Sequence, residues 1–313
     1  MLRLCAAAPL RKASLGLAFL LGALRAVAEA PLPAPADSFN AVRLPGSGGA
    51  TLQALVRGPR VPPQRYRVVV LPGSGCAGMG AFAERYFAGL LHAQVLVLHK
   101  PGVDPQALTP PGACPTEFVQ HDALAAWQAH ALAALRAAEG RELPTVLVGI
   151  SEGAELLPGL APAVPQLAGL VLLASSGLDP REAGALQAQR MGHGEDWQRL
   201  QTLQADVAVS DHTWAQGRSL RYWRDLWAWS LAQPLIDGPW PLWQVWGQAD
   251  TLVPPEAYAR FDARAQGRSA PWCARSLPGA DHGLQAPGDD GVQRVWAWLE
   301  QGARQERLLR DCP

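Results

Sequence analysis

The sequence predicts an α/β domain, with a mostly parallel central sheet and helices on both of its faces. Two observations carry that prediction. First, short runs rich in Val and Leu recur at 67–71, 95–98, 145–148 and 170–173, and Trp243-Gln244-Val245-Trp246 is of the same type. They are continuous rather than alternating, which is the pattern of a strand covered on both faces. Second, stretches with helical character fall between them, at 81–91, 117–139, 154–160, 255–265 and 290–309. Strand–helix alternation of this kind builds a parallel sheet by crossover connections.

The chain opens on a segment that reads as a targeting signal rather than as fold. Arg3, Arg11 and Lys12 make a positive start, residues 13–24 are apolar, and Ala26-Val27-Ala28 is a small-x-small cleavage site. Cleavage is expected after Ala28, because cutting after Ala30 would leave Pro31 at the new terminus. The apolar run is shorter than the roughly 20 residues that span a bilayer. Cys5 precedes that run, so it is not placed to carry a lipid anchor. Residues 1–28 are therefore expected to be a signal peptide and the mature protein to be exported, either periplasmic or secreted, with no membrane anchor left after cleavage. A proline-rich lead-in follows at 29–37.

Export changes the reading of the other four cysteines, Cys76, Cys114, Cys273 and Cys312. An even number in an oxidising compartment predicts two disulfides, with three possible connectivities. Pairing of neighbours along the chain, Cys76–Cys114 and Cys273–Cys312, is the expectation. In a parallel sheet the loops carrying Cys76 and Cys114 would emerge at the same edge, and a terminal helix packed back across the sheet would bring Cys312 to Cys273. No C-x-x-C pair occurs, so neither a zinc site nor thioredoxin-like chemistry is indicated. The 27 Lys and Arg residues balance the 27 Asp and Glu, and there is no basic run. That balance argues against a nucleic-acid partner.

From residue 38 onward the elements follow in order. Residues 39–44 and 51–57 alternate loosely around Pro45-Gly46-Ser47-Gly48-Gly49, which predicts an antiparallel hairpin at a sheet edge. The core strand at 67–71 leads into Pro72-Gly73-Ser74-Gly75-Cys76-Ala77-Gly78. Two readings of that loop compete. One is an oxyanion loop, whose glycines let a backbone N–H of Ser74 or Gly75 approach a developing negative oxygen. The other is a nucleotide site built on Gly73-x-Gly75-x-x-Gly78. A nucleotide site also calls for an acid about 20 residues on, to hold the ribose. At the end of the next strand stand His99-Lys100-Pro101-Gly102 instead.

The strand at 145–148 runs into Gly149-Ile150-Ser151-Glu152-Gly153 and then a helix. Strand, G-x-S-x-G and helix in that order form a nucleophile elbow, a turn so sharp that its flanking positions must lack a Cβ. Ser151 is the candidate nucleophile, and the amide of Glu152 is aimed at the same point. A serine hydroxyl needs a base to take its proton. His282, in Asp281-His282-Gly283 after the expected last strand at 272–276, is the candidate base. Asp250, in the turn after the strand at 243–246, is the candidate acid that fixes the histidine tautomer. Asp179, after the strand at 170–173, is the rival for that acid.

With Ser151, Asp250 and His282 in this chain order, the sequence resembles α/β-hydrolase-fold proteins, in particular the serine aminopeptidase-like and esterase-like members. The residues that carry the resemblance are Leu71-Pro72-Gly73-Ser74-Gly75, Gly149 to Gly153, Gly247-x-x-Asp250-x-x-Val253-Pro254 and Asp281-His282-Gly283. One departure is Pro72-Gly73, where many members have His-Gly, which predicts a differently shaped oxyanion loop. The resemblance implies an α/β-hydrolase core at 38–178 and 240–313, with a helical cap at 179–239 inserted before the acid-bearing strand. Helices are expected in the cap at 180–190, 195–204 and 213–231. Its tryptophans (Trp197, Trp214, Trp223, Trp227, Trp229) are expected mainly to pack it onto the core, with one or two lining a subsite. Arg218, Arg221 and Arg224 are candidates to hold a substrate carboxylate.

The resemblance implies a serine hydrolase that cleaves an ester or amide of a small molecule or peptide through an acyl-enzyme, without metal or cofactor. The same fold also hosts non-catalytic binding proteins. The nucleotide reading of the glycine loop is the third alternative.

Overall fold

The computed structural model describes residues 38–110 and 112–313. The expected signal peptide at 1–28 and lead-in at 29–37 lie outside the described residues. Among the described residues, one sheet has eight strands. They are β1 (Asn40–Pro45), β2 (Thr51–Arg57), β3 (Tyr66–Leu71), β4 (Ala93–Leu98), β5 (Thr145–Ile150), β6 (Leu167–Leu173), β7 (Leu242–Gly247) and β8 (Trp272–Leu277). In space they run β1-β2-β4-β3-β5-β6-β7-β8. β2 is antiparallel to both its neighbours, and every other pairing is parallel. The edge hairpin and the parallel centre are those the sequence predicts.

The continuous apolar runs divide between two cores because side chains alternate across a strand. Val69, Leu71, Leu96, Leu98, Leu147 and Leu172 face one way, against α3 (Leu124–Ala137) and α9 (Pro255–Ala265). Val68, Val70, Val95, Val97, Val146 and Val148 face the other, against α1 (Gly80–Tyr86) and α10 (Gly291–Arg304). Each helix buries one stripe, so the sheet is covered on both sides. From β3 the chain crosses to β4 on one side, and it later returns to β5 on the other. The loops leaving β3 and β5 therefore lie side by side at the strands' carboxyl ends, where open α/β sheets bind ligands.

Two expected helices come out differently. The single helix expected at 117–139 is two, α2 (Thr116–His121) and α3, because Asp122 and Ala123 are extended. The Asp122 carboxylate accepts hydrogen bonds from Lys100 Nζ at 2.9 Å and Arg218 Nη1 at 2.6 Å. Between β6 and β7 come α5 (Pro180–Arg190), α6 (Gly194–Ala205), α7 (Leu220–Ala228) and α8 (Ala232–Asp237). The helix expected at 213–231 begins instead as a two-residue-per-strand hairpin, Trp214–Ala215 with Arg218–Ser219. Gln216 and Gly217 make its turn in the left-handed backbone region, with φ of 49° and 75°. The Gly217 signal for that turn stands in the sequence.

Both expected disulfides are formed. Cys76 and Cys114 have Cα atoms 5.7 Å apart, and Cys273 and Cys312 5.3 Å apart. The first ties the loop after β3 to the segment before α2. The second fastens the chain end to the edge strand β8.

Candidate active site

Ser151 sits immediately after β5 with φ of 51°, in the left-handed region, at the start of a 3-10 turn (Ser151–Leu156). A Cβ on Gly149 would collide with the backbone of Ala154, and one on Gly153 with the carbonyl of Leu71. The flanking glycines are thus required by packing, and the turn they permit lifts Ser151 out of the sheet. A 3-10 turn followed by α4 (Leu157–Leu160) replaces the uniform helix expected at 154–160.

Asp250 and His282 reach Ser151 from the loops after β7 and β8. His282 Nδ1 lies 2.9 Å from Asp250 Oδ2, and His282 Nε2 lies 3.1 Å from Ser151 Oγ. A carboxylate only accepts, so Nδ1 carries the proton and donates it to Asp250. Nε2 is then left to accept from the Ser151 hydroxyl. Asp250 is itself held in place. Its Oδ1 accepts from the amides of Leu252 at 2.7 Å and Val253 at 3.0 Å, and its Oδ2 accepts from Tyr258 at 3.3 Å. Burial pushes the Asp250 pKa up. The bond from His282 and the two amides outweigh burial and hold it below the ordinary carboxylate range.

Asp179, the rival acid, is engaged elsewhere. Its Oδ1 accepts from the amides of Leu231 at 2.7 Å and Ala232 at 2.9 Å, at the start of α8. The loop after β3 lies against the elbow, since a Cβ on Gly73 would stand 3.5 Å from the Cβ of Ser151. Ser74 lines the same cavity as Ser151 and Glu152. Gly75, with φ of 95°, makes the turn that only glycine adopts readily, and Gly78 leaves no room for a Cβ against Pro105. Gly75 and Gly78 of the nucleotide reading are therefore explained by backbone and packing within the chain. Among the described residues, no group of three or more His, Cys, Asp or Glu is arranged to hold a metal ion.

Behind the elbow lies a cluster that sequence reasoning missed. Lys100, at the end of β4, pairs with both Asp122 and Glu152, and Arg218 pairs with Asp122 and stands 3.7 Å from Glu152. Two cations and two anions close on each other beneath aromatic faces, with Lys100 Nζ 4.9 Å from the Trp127 ring and Arg218 4.7 Å from that of Tyr222. Burial pushes Glu152 up, but Lys100 and Arg218 outweigh it and keep its pKa below the ordinary range. One signal could have found this cluster: Lys100 is the only lysine beyond Lys12 in an arginine-rich chain.

The cavity over Ser151 measures about 340 Å³ and draws its outer wall from the segment between β6 and β7, including Gln187, Arg218, Tyr222, Trp223 and Leu226. Trp223 lines it, while Trp197 stacks on Trp227 at 4.6 Å between centroids and packs α6 on α7. Trp197 and Trp227 thus pack as expected and Trp223 stands in the wall, whereas Trp214 is exposed. Arg224 is spent inside the segment, donating to the carbonyls of Gln204, Asp206 and Val209 and pairing with Asp211. Arg218 reaches the cavity with its charge already matched. Glu155, next along the elbow, also lines the cavity. Burial, then the charges of Glu152 and Asp179, push its carboxyl well above the ordinary range.

Solved structures share this architecture. An esterase from Pyrobaculum calidifontis superimposes with a TM-score of 0.59 over 88% of this chain and 87% of its own, at 15% identity. The esterase domain of a Rhodothermus marinus protein gives 0.53 over 85% and 98%, at 18% identity. A puromycin-hydrolyzing peptidase from Mycobacterium tuberculosis gives 0.57 over 90% of this chain and 42% of its own, at 16% identity. The chain has the α/β-hydrolase fold. No protein-family model matches it, and no curated protein matches its sequence. The loops after β3, β5, β7 and β8 converge at one end of the sheet, and Ser74, Ser151, Asp250 and His282 sit on them. Identities this low speak to fold alone.

Proposed function

We propose that this chain is an exported serine hydrolase that cleaves an ester or amide of a small molecule or peptide through an acyl-enzyme. The observation that carries the reading is the unbroken hydrogen-bonded chain from Ser151 Oγ through His282 to Asp250, with distances of 3.1 and 2.9 Å. Ser151 Oγ attacks the substrate carbonyl carbon while His282 Nε2 takes its proton. The imidazolium is stabilised by Asp250 across Nδ1. The tetrahedral oxyanion is received by the amide of Glu152 and that of Ser74 or Gly75. His282 then returns the proton to the leaving group, and water deacylates Ser151 by the same route. The buried ion cluster behind Glu152 supports this assignment, because it pins the residue whose amide must face the oxyanion before charge develops. No step calls on a metal or cofactor.

The two disulfides suit an oxidising compartment. Among the described residues no helix is long and apolar enough to cross a membrane. The disulfides fit a protein exported with the signal at 1–28. A fluorophosphonate probe tests the chemistry: it should label Ser151 in the wild type and fail on Ser151→Ala. A folded wild type that resists the probe would overturn the reading in favour of a binding protein on this fold. A panel of p-nitrophenyl esters and aminoacyl anilides then ranks ester against amide.

A further inference from the structure

At the end of the sheet opposite the elbow stands a buried arginine in an otherwise apolar strand. Arg67 is the second residue of β3, and the pairing register sets it beside Gln94, the second residue of β4. Four residues separate it from Leu71, where the strand reaches the catalytic loops, about 13 Å at the usual strand rise. Side chains alternate along a strand, so Arg67 and Gln94 lie on the α3 side of the sheet, as Val69 and Leu96 do two residues further on. Arg67 is 2% exposed. Among the described residues its guanidinium makes no hydrogen bond and no ion pair, and its Nε is sealed from solvent. Burial lowers its pKa to about 10, so the group is still charged at neutral pH. Glu142 attracts that charge and Arg141 opposes it, neither near enough to pair. A buried charge without a partner is costly, and a ligand that supplies the partner recovers that cost.

Arg67 opens on a cavity of about 270 Å³ between the sheet and the carboxyl end of α3. Its two Nη atoms are unpaired and, unlike Nε, are not sealed. Gln94 lines the same cavity. Its Oε1 is sealed on the side of Gly140, where a Cβ would collide with it. That leaves its Nε2, which has no partner among the described residues, as a further donor on the open side. Donors without an acceptor call for an anion. The wall beyond them is aliphatic, from Val42, Leu44, Val56 and Leu96. Glu139, the acid in the lining, is exposed, so solvent screens its charge. Allowing about 30 Å³ per heavy atom, the share of a water in the liquid, the cavity holds roughly nine heavy atoms. A carboxylate with a short alkyl chain has that size, and it matches both the donors and the wall.

We propose that Arg67 and Gln94 head a binding site for a short aliphatic carboxylate, separate from the cavity over Ser151. The carboxylate oxygens lie on the Arg67 fork, whose spacing matches them, and the alkyl chain lies against Val56 and Leu96. The site does not depend on the serine-hydrolase reading, since none of its residues belongs to the triad or its loops.

Titration calorimetry with sodium hexanoate tests the site, with hexanol, hexylammonium and inorganic phosphate as controls. Hexanoate should bind saturably, and about tenfold or more tighter than hexanol, as hydrogen bonds to a charged group give. Hexylammonium should bind least. Phosphate, which leaves the aliphatic wall empty, should bind more weakly than hexanoate. In Arg67→Met the hexanoate-to-hexanol ratio should fall towards one, and Gln94→Leu should lower it in part. No saturable hexanoate heat, hexylammonium or phosphate binding as tightly as hexanoate, or a ratio that survives Arg67→Met would each overturn the site. Should Arg67→Met fail to fold, the wild-type ranking and Gln94→Leu still decide. Ester cleavage also releases carboxylates, so fluorophosphonate labelling of Ser151 is followed at saturating hexanoate. The labelling rate should be unchanged. Slowed labelling together with a heat that survives Arg67→Met would place the carboxylate at the elbow instead. A Ser151 that never labels sinks the hydrolase reading, while this site stands or falls by the calorimetry.

Discussion

The elbow and the segment at 179–239 build one cavity by different physics. At the elbow the constraint is backbone against backbone: Gly149 against Ala154 and Gly153 against Leu71. The segment at 179–239 is held by side chains, through the Arg224 fork, the Trp197–Trp227 stack, Asp179 on α8, and Arg190 and Gln187 on the Thr251 carbonyl. Close-packed backbone fixes reacting groups to within tenths of an ångström, whereas side-chain ties set a wall that substitution reshapes. On the proposed function, chemistry would reside on the sheet and selectivity on the inserted segment, and substitutions on the two sides should fail in different ways.

The sharpest contrast is in turnover. Ser151→Ala should lower kcat by about 10⁴-fold or more, since members of a triad act as a unit. Asp250→Asn should cost roughly 10⁴-fold by offering His282 the wrong tautomer partner. Steady-state kinetics on the best p-nitrophenyl ester measure both. An equal loss in Asp179→Asn would break the comparison, because that residue belongs to the inserted segment.

Next in size is the ion cluster that joins the two regions. Lys100→Met leaves Asp122 and Glu152 with Arg218 alone and should cost about 3–5 kcal/mol of stability, the usual result of removing one partner from a buried pair. Urea denaturation reads it. A loss well below 1 kcal/mol would mean that the cluster is wetter than its packing implies.

The disulfides separate the site from the edge. Each closes a comparable loop, 38 residues for Cys76–Cys114 and 39 for Cys273–Cys312. The chain-entropy argument gives both about 3–4 kcal/mol. Replacing either pair by serine should lower Tm alike. Only the first should also lower kcat measured well below Tm, because Cys76 adjoins the loop whose Ser74 or Gly75 amide is proposed to receive the oxyanion.

These contrasts also show what was legible beforehand. Strand runs, glycine positions and the order Ser151, Asp250, His282 are local patterns, and a parallel sheet with its switch point between β3 and β5 converts them into a site almost without choice. The ion cluster was not legible, because Lys100, Asp122, Glu152 and Arg218 come from four elements and only tertiary packing brings them together. The same holds for the break at Asp122. Helical periodicity runs on through it, and the charge it meets in Lys100 and Arg218 overrides propensity. The hairpin at 214–219 was announced by Gly217, but the tryptophans around it carried a helical rhythm that masked the turn.

A smaller effect distinguishes structural from reactive acids. Asp179→Ala should lose about 1 kcal/mol, the cost of removing a capping carboxylate from the amides of Leu231 and Ala232. Activity should stay within a few-fold. A collapse of kcat instead would return Asp179 to contention as the acid.

The smallest effect is a matter of sign. Asp250 and Glu152 are held below the ordinary carboxylate range in the folded chain. Their contribution to stability is present at neutral pH and fades as the pH falls through their folded pKa values. Glu155 is held well above its ordinary value, by burial first and by Glu152 and Asp179 next. Its contribution runs the other way. The folded chain keeps a proton that the unfolded chain gives up near pH 4.3, the usual glutamate value. Stability is thus full below that pH and declines as the pH rises towards the folded value. Glu155→Gln removes a group that can ionise and leaves the shape nearly unchanged, so it should match the wild type near pH 4 and exceed it progressively towards pH 8. The gain should be roughly 2–4 °C in Tm, about 1 kcal/mol for a domain of this size. Thermal melts across that range measure it. Parallel Tm profiles for variant and wild type would show that Glu155 ionises as freely folded as unfolded, and the contrast between the acids behind the elbow and the acid in the cavity would be lost.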